Sequence, residues 1–335
     1  MKNVICSIIM PAYNSQRTIE CVLRSIQMQT IANHIEIIVV DGGSRDRTTE
    51  IAQKYGAIVL NNPERVPEVA KRIGLQHAKG KYAIWEDTDE ELTKADQLER
   101  RIRFMEKHSR IKCMVCDEQH PGPNSGIAGS YLCYCGDPFS NFVYKRRNGV
   151  VHTFEKNIAY REEDGIIFKF KNGDATPIGD GGTTIFDLNW VKQTFPEEWN
   201  TQAFVCGITD QICRRTKRCG CIPGDNIIHH ARADYRTYLK KLKFRVVNNV
   251  FDPEKSGYSA RTSGKKCSEI ALRKYLYVLY SATIVLPLFD SVLIAIRNKD
   301  VRLLLHFVYN NYVVYEIAVN VLIKKLGKKK TNQAY

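Results

Sequence analysis

Asp87-Thr88-Asp89 places two carboxylates two residues apart, just after the apolar run Tyr82–Trp85. Side chains at that spacing on an extended backbone point the same way. Hard carboxylate oxygens suit Mg2+ or Mn2+; the competing reading is a solvated acidic loop. Asp41 is followed by Gly42 and Gly43. A carboxylate accepts hydrogen bonds, and glycines let a ligand approach the backbone, although Asp-Gly is also a common plain turn. Cys113-x2-Cys116 and Cys133-x-Cys135 together offer four thiols, the ligand count of a zinc site. Strand alternation would put Cys113 and Cys116 on opposite faces, so buried thiols are the better reading. The total of 11 cysteines is odd, which also argues against a disulfide framework.

These residues need a scaffold, and the first 117 residues supply its pattern. Strands are expected at Val4–Met10, Ile35–Val40, Ala57–Leu60, Tyr82–Trp85 and Ile111–Cys116. Helices are expected between them, at Gln16–Gln29, Asp46–Tyr55 (with Ser44 as its cap), Val69–His77 and Leu98–Lys107. Alternation of this kind predicts a mostly parallel sheet covered by helices. Ligands of such sheets sit at the carboxyl ends of the strands. Here those ends carry Pro11-Ala12-Tyr13-Asn14, Asp41-Gly42-Gly43 and Glu86-Asp87-Thr88-Asp89. No G-x-G-x-x-G follows the first strand, which excludes a dinucleotide site of the Rossmann type. Residues 117–148 read as a long loop. Beyond it come a strand at Ile166–Phe170, an element opening at Asp180-Gly181-Gly182, a helix over Gly207–Arg218 and a strand at Cys221–Pro223.

Four blocks, in order, resemble family-2 glycosyltransferases of GT-A fold: SIIMPAYNSQRTIE, VVDGGSRDRT, VAKRIGLQHAKGKYAIWEDTDEEL and GITDQICRRTKRCGCIPGDNIIHH. The likeness covers roughly two-thirds of the chain. It implies a nucleotide-sugar-binding GT-A domain over residues 1–230. Pro11, Ala12, Tyr13, Asn14, Asp41 and Gly42 would lie along the donor nucleotide. Lys71 and Arg72 take the place of the family's Arg-Asn pair, and either would neutralise diphosphate oxygens; the alternative is a solvated helix face. Asp87 and Asp89 would hold the Mg2+ or Mn2+ that bridges the diphosphate of a UDP- or GDP-linked sugar, Asp87 also touching the donor. His229, with His230 beside it, falls where the family often has a His near nucleotide or metal. Asp210, in Ile208-Thr209-Asp210-Gln211, would be the general base on an acceptor hydroxyl, its alternative role being a helix N-cap. A single displacement inverts the anomeric centre. Thr209 and Arg72 depart from the family pattern, and Arg215 breaks the Gln-x-x-Arg-Trp signature of processive synthases. Transfer of one sugar is therefore expected.

Composition then separates the chain. Net charge is +14, and residues 231–335 hold 20 basic against 7 acidic side chains. Hydrophobic residues at 44% exclude a disordered or fibrous chain. A basic amphipathic stretch at Tyr235–Arg245 and a linker over Val246–Lys266 fill residues 231–270. Two apolar stretches, Tyr275–Ile296 and Leu303–Ile323, fill 271–335 between basic flanks at Lys265, Lys266, Arg273 and Lys274 and at Lys324–Lys330. The first is long enough to span a bilayer. A hairpin with both flanks cytoplasmic satisfies the positive-inside rule; helices lying in the interface and a soluble helical hairpin are the alternatives. No secretory leader opens the sequence. The expected location is the cytoplasmic face of the membrane, the expected acceptor a lipid-linked or cell-surface glycan, and nucleic acid is not an expected partner, because the basic residues flank apolar helices. The other readings are a polyprenyl-phosphate glycosyltransferase and an inactive scaffold of the same fold. Oligomeric state is not legible.

Overall fold

A computed structural model of the chain describes residues 3–145, 147–171, 183–205, 207–231, 234–251 and 268–327. Asp180-Gly181-Gly182, residues 252–266 of the expected linker and the lysines at 328–330 lie outside the described residues; Val246–Phe251, expected to open that linker, instead continue the helix Tyr235–Phe251, with Val246 and Val247 buried. The chain forms two compact units, residues 1–119 with 149–228, and 120–148 with 229–335.

In the first unit the expected alternation is present. Strands β1 (Cys6–Ala12), β2 (Ile35–Asp41), β3 (Ile58–Asn61) and β4 (Tyr82–Trp85) are joined by helices α1 (Ile19–Gln27), α2 (Thr48–Lys54) and α3 (Pro67–His77). After a short strand β5 (Glu90–Leu92), helix α4 (Gln97–Lys107) leads to β6 (Cys113–Val115) and a short strand β7 (Gln119–Pro121). After a short helix α7 (Val150–Thr153) follow β8 (Ile158–Glu162), β9 (Gly165–Lys169), β10 (Ile185–Asp187), helices α8 (Leu188–Thr194), α9 (Gln202–Val205) and α10 (Ile208–Thr216), then β11 (Arg218–Cys221) and β12 (Ile227–His229).

Nine strands form the main sheet in the order β3-β2-β1-β4-β10-β6-β11-β9-β8. The mostly parallel sheet expected from sequence holds for β3-β2-β1-β4 and for β6-β11. β10 enters antiparallel between β4 and β6, and β9 and β8 add an antiparallel edge, so the sheet is mixed. Its two faces are covered by separate apolar cores, one on α1 and α4, the other on α3, α8, α9 and α10. Gly74 permits the packing of α3: a Cβ there would stand 2.4 Å from Ile9 Cγ2.

The second unit is helical. Residues 117–148, expected as loop, contain α5 (Ile127–Cys135) and α6 (Pro138–Val143), the latter capped by the Asp137 carboxylate on Ser140 N. They share a core rich in tyrosine with α11 (Tyr235–Phe251), α12 (Ser268–Ala282), α13 (Val285–Asn298) and α14 (His306–Lys325). The expected single apolar stretch at Tyr275–Ile296 is thus two helices, bent by 95° at Thr283-Ile284. No single helix among the described residues is long and apolar enough to cross a membrane; the bent pair together passes by length and composition.

Candidate active site

The site is built where the first strands of the main sheet end. Ala12 on β1 pairs in register with Asp41 on β2, so these two strands finish level, while β4 on the other side of β1 ends at Trp85 opposite Ile9, three residues short of them. Gly42 N donates to Ala12 O at 2.8 Å, holding the β2 end against β1. Beyond it the loops interlock. Asn14 N donates to Ser44 Oγ, and Arg45 N donates back to Asn14 Oδ1. Asn14 adopts φ 50° to make this turn, a conformation Asn tolerates better than most residues. Thr88 Oγ1 donates to Ser15 Oγ at 2.8 Å, which ties the acidic loop after β4 to the loop after β1.

Asp41 is buried, and its carboxylate is engaged locally. Oδ2 accepts Gly43 N and Ser44 N, and Oδ1 accepts Ser44 Oγ. The turn reading of Asp41 is therefore realised, and the carboxylate is fixed at the strand end. Ser44 serves this turn and is not the cap of α2; Thr48 N at the start of that helix bonds Asp46 Oδ1 instead. Ser15, Ser44 and Thr88 were not singled out as site residues in the sequence. An Asp-x-x-Ser spacing at a strand end is the signal that would have found Ser44. Tyr13 is exposed beside Gly42, whose Cβ position is 3.5 Å from the Tyr13 ring and 3.6 Å from Arg65 Cα. Gly42 itself is buried between Ala12, Tyr13 and Arg65, while Gly43 beside it is exposed.

Asp87 is exposed and Asp89 partly so, while Thr88 between them is buried. Behind them Glu86 is fully buried. Burial, and then the charge of Glu90, push its carboxyl well above the usual range. That leaves Asp87 and Asp89 as the carboxylates facing outward from this turn. No cluster of three His, Cys, Asp or Glu ligand atoms among the described residues includes either. Two carboxylates on one turn fit a hard cation that completes its shell with water and phosphate oxygens. His229 belongs to the second unit, where its Nδ1 lies 3.8 Å from Cys133 Sγ. Cys113, Cys213 and Cys219 pack together in the sheet core with Sγ separations of 3.8 Å from Cys113 to each of the others. No disulfide joins the described cysteines, as expected of buried thiols.

On α3, Lys71 Nζ sits 5.6 Å from the centroid of the Trp85 ring, and Arg72 Nε donates to Gln202 Oε1 on α9. Asp210 lies in the first turn of α10, two residues beyond its first, so Gly207 and not Asp210 is the cap. An acidic side chain there is favoured by the helix dipole. Its Oδ2 accepts Arg214 Nε at 2.6 Å, one helical turn on. Arg214 was not anticipated as its partner, although an Asp and an Arg four apart on a helix are neighbours by geometry.

Residues 7–161 match the model of the family described as glycosyl transferase family 2. Over 111 residues the chain is 33% identical to a putative teichuronic acid biosynthesis glycosyltransferase of Bacillus subtilis (strain 168), covering 31% of this chain and 43% of that one. Over 113 residues it is 31% identical to a UDP-Glc:alpha-D-GlcNAc-diphosphoundecaprenol beta-1,3-glucosyltransferase of Escherichia coli, covering 32% of this chain and 44% of that one. The chain spans less than half the length of these curated relatives. A solved mannosyltransferase from Pyrobaculum calidifontis, in complex with GDP-Man and Mn2+, is similar at TM-score 0.55 and 15% identity, covering 96% of this chain and 87% of that one. That likeness is one of fold: an α/β, GT-A-like architecture with a mixed central sheet.

Proposed function

We propose that this chain, whose residues 7–161 match the family described as glycosyl transferase family 2, is a glycosyltransferase that moves one sugar from a UDP- or GDP-linked donor to a hydroxyl of a lipid-linked or cell-surface glycan. The observation that carries the reading is the convergence of the three strand ends, with Thr88 bonded to Ser15 and Gly42 bonded to Ala12. Pro11–Asn14 and Asp41-Gly42 line the nucleotide, and Lys71 and Arg72 supply positive charge toward the diphosphate. Asp87 and Asp89 hold Mg2+ or Mn2+, which supplies charge neutralisation at the leaving diphosphate. Asp210 takes the acceptor hydroxyl proton as that oxygen bonds to the anomeric carbon. The bond from that carbon to the phosphate oxygen breaks, the nucleoside diphosphate leaves, and the configuration inverts. The relatives' printed names support a role in cell-envelope polysaccharide synthesis; in this reading the apolar, basic-flanked residues 271–335 attach the enzyme at the cytoplasmic face of the membrane.

Asp210→Asn tests the base. It is expected to lower kcat by about 100- to 10,000-fold while leaving the thermal shift given by donor nucleotide and Mn2+ unchanged. The ion pair with Arg214 at 2.6 Å favours one second reading. Transfer to a polyprenyl phosphate starts from an oxygen that is already anionic and needs no base, and Asp210 would then serve only to position Arg214. An Asp210→Asn enzyme that keeps its rate selects that reading. No product and no thermal shift with any UDP-, GDP- or dTDP-sugar, in folded protein, would leave an inactive scaffold.

A further inference from the structure

Helices α12 and α13 expose large apolar side chains that the second unit's own core does not use. Tyr275, Leu279, Val285, Phe289 and Ile296 are each more than 60% exposed, and exposed Leu and Val side chains lie between them. A contiguous apolar surface of this kind marks an interaction site. Its charge points to the partner. Between Leu272 and Lys299 the basic side chains are Arg273, Lys274, Arg297 and Lys299, and the one acidic side chain, Asp290, accepts the Tyr280 hydroxyl at 2.8 Å.

We infer that α12 and α13 lie as a bent wedge in one leaflet of an anionic membrane, and that residues 268–327 do not cross it. The inference rests on the membrane-face reading above and narrows it. Helices of 15 and 14 residues are about 22 and 21 Å long, short of a hydrocarbon core of about 30 Å. A 95° bend directs the second away from the axis of the first. α14 has 20 residues, but its polar side chains face protein. Asn310, Glu316 and Asn320 are buried, and Glu316 pairs with Lys243 of α11.

Connectivity decides against a crossing. Two spans would leave the α13–α14 connection on the far side of the bilayer. In the structure Arg302 in that connection reaches Ser125 O. Leu303 is buried in one core with Ala128 and Tyr131 of α5, and Tyr131 hydroxyl bonds His306 Nδ1 at 2.7 Å. Ser125 is six residues along the chain from Gln119, the last residue of the first segment of the catalytic unit. The connection and the start of α5 therefore occupy one side.

The full-length protein, bound to preformed vesicles of phosphatidylcholine with or without phosphatidylglycerol, tests this. Phe289→Cys carrying an environment-sensitive fluorophore is expected to be quenched by brominated acyl chains. Lys299→Cys is expected to react with an impermeant maleimide added outside intact vesicles, above the wild-type background. Replacing Arg297 and Lys299 by Gln together is expected to weaken binding to the anionic vesicles by about 25-fold, at roughly five-fold per basic residue near the surface. Protection of Lys299→Cys until the vesicles are permeabilised would establish a crossing and overturn the inference. Absence of vesicle binding, with a dimer in light scattering, would assign the face to a second copy and overturn it too. Either result leaves the glycosyltransferase reading standing if the donor nucleotide still raises Tm.

Discussion

Arg101 on α4 is fully buried, and it is expected to be the most expensive ion-pair partner in the molecule to disturb. Its Nε donates to Asp225 Oδ2 at 2.5 Å, with side-chain exposures of 0% and 2%. Nη1 donates to Thr183 O and Thr183 Oγ1, and Nη2 has no hydrogen-bond partner among the described residues. The guanidinium thus joins α4, the segment entering β10 and the loop between β11 and β12. Asp225→Asn keeps the shape and removes the charge, leaving a cation in the core whose bonded partners, an amide oxygen and the Thr183 oxygens, are all neutral. Breaking one half of a buried pair costs about 3–5 kcal/mol. For a unit of about 200 residues each kcal/mol lowers Tm by roughly 2–4 °C, so a fall of about 6–20 °C is expected. The three tryptophans, at 85, 190 and 199, all lie in the first unit, so their fluorescence in urea reports this unit alone. The double replacement Arg101→Met with Asp225→Leu removes both charges and is expected to recover most of the loss, because an apolar pair of similar volume is often neutral or better. A loss below about 1 kcal/mol for Asp225→Asn, or a double variant as weak as the single one, would refute the argument that the isolated charge is what costs.

Three further outcomes follow from other contacts. Gly80→Ala is expected to destabilise the fold, by about 1–3 kcal/mol on the scale of overpacked cores, because its Cβ would lie 2.7 Å from Ser7 N and 2.8 Å from Tyr82 O; calorimetry checks it. Glu86, pushed up by burial and by Glu90, keeps a proton when folded that it releases when unfolded, so its contribution is complete below the ordinary Glu value and declines as pH rises above it. The Tm of Glu86→Gln relative to wild type should therefore rise from pH 5 to pH 8, by up to about 1.4 kcal/mol of stability per pH unit while the folded carboxyl stays protonated. Asp89→Ala should keep its own Tm while losing the extra shift that Mn2+ adds to a bound nucleoside diphosphate.

How far the sequence could be read depended on whether each signal was local. β1 to β4 and α1 to α4 were legible because continuous apolar runs and 3.6-residue spacing are intrinsic to each segment, and the strand-end position of Asp41, Asp87 and Asp89 followed from them. β10 was not legible. Three residues carry no period, and their place between β4 and β6 comes from Phe186 pairing with Ala83 and Cys113, contacts distant in sequence. The partners of the site residues were missed for a similar reason: Ser15 with Thr88, and Arg72 with Gln202, lie 73 and 130 residues apart.

The second unit shows the opposite failure, in which a local signal was present and its meaning was misjudged. Asp137-Pro138 is a helix start, with a carboxylate cap and Pro in the first position, yet its Gly- and Tyr-rich setting read as loop. Pro287 sits at the third residue of α13, where the missing N–H is one that no helix bonds internally. As part of a 22-residue apolar stretch it is outweighed by length; read as a helix start it places the break before it, at Thr283-Ile284, where Ile284 takes φ 60°. The polar residues of Leu303–Ile323 carried the matching clue. His306, Asn310, Glu316 and Asn320 recur at spacings of four and six residues along α14, and all four are buried. Hydropathy summed over a window registers them only as a reduction in apolarity. Their spacing defines a face, and a polar face that is buried must meet protein, as Lys243 at Glu316 and Tyr131 at His306 do. With the polar face of α14 committed to the core in this way, most of the exposed apolar side chains left for lipid are those of α12 and α13, and α14 adds Tyr315, Val321 and Leu322.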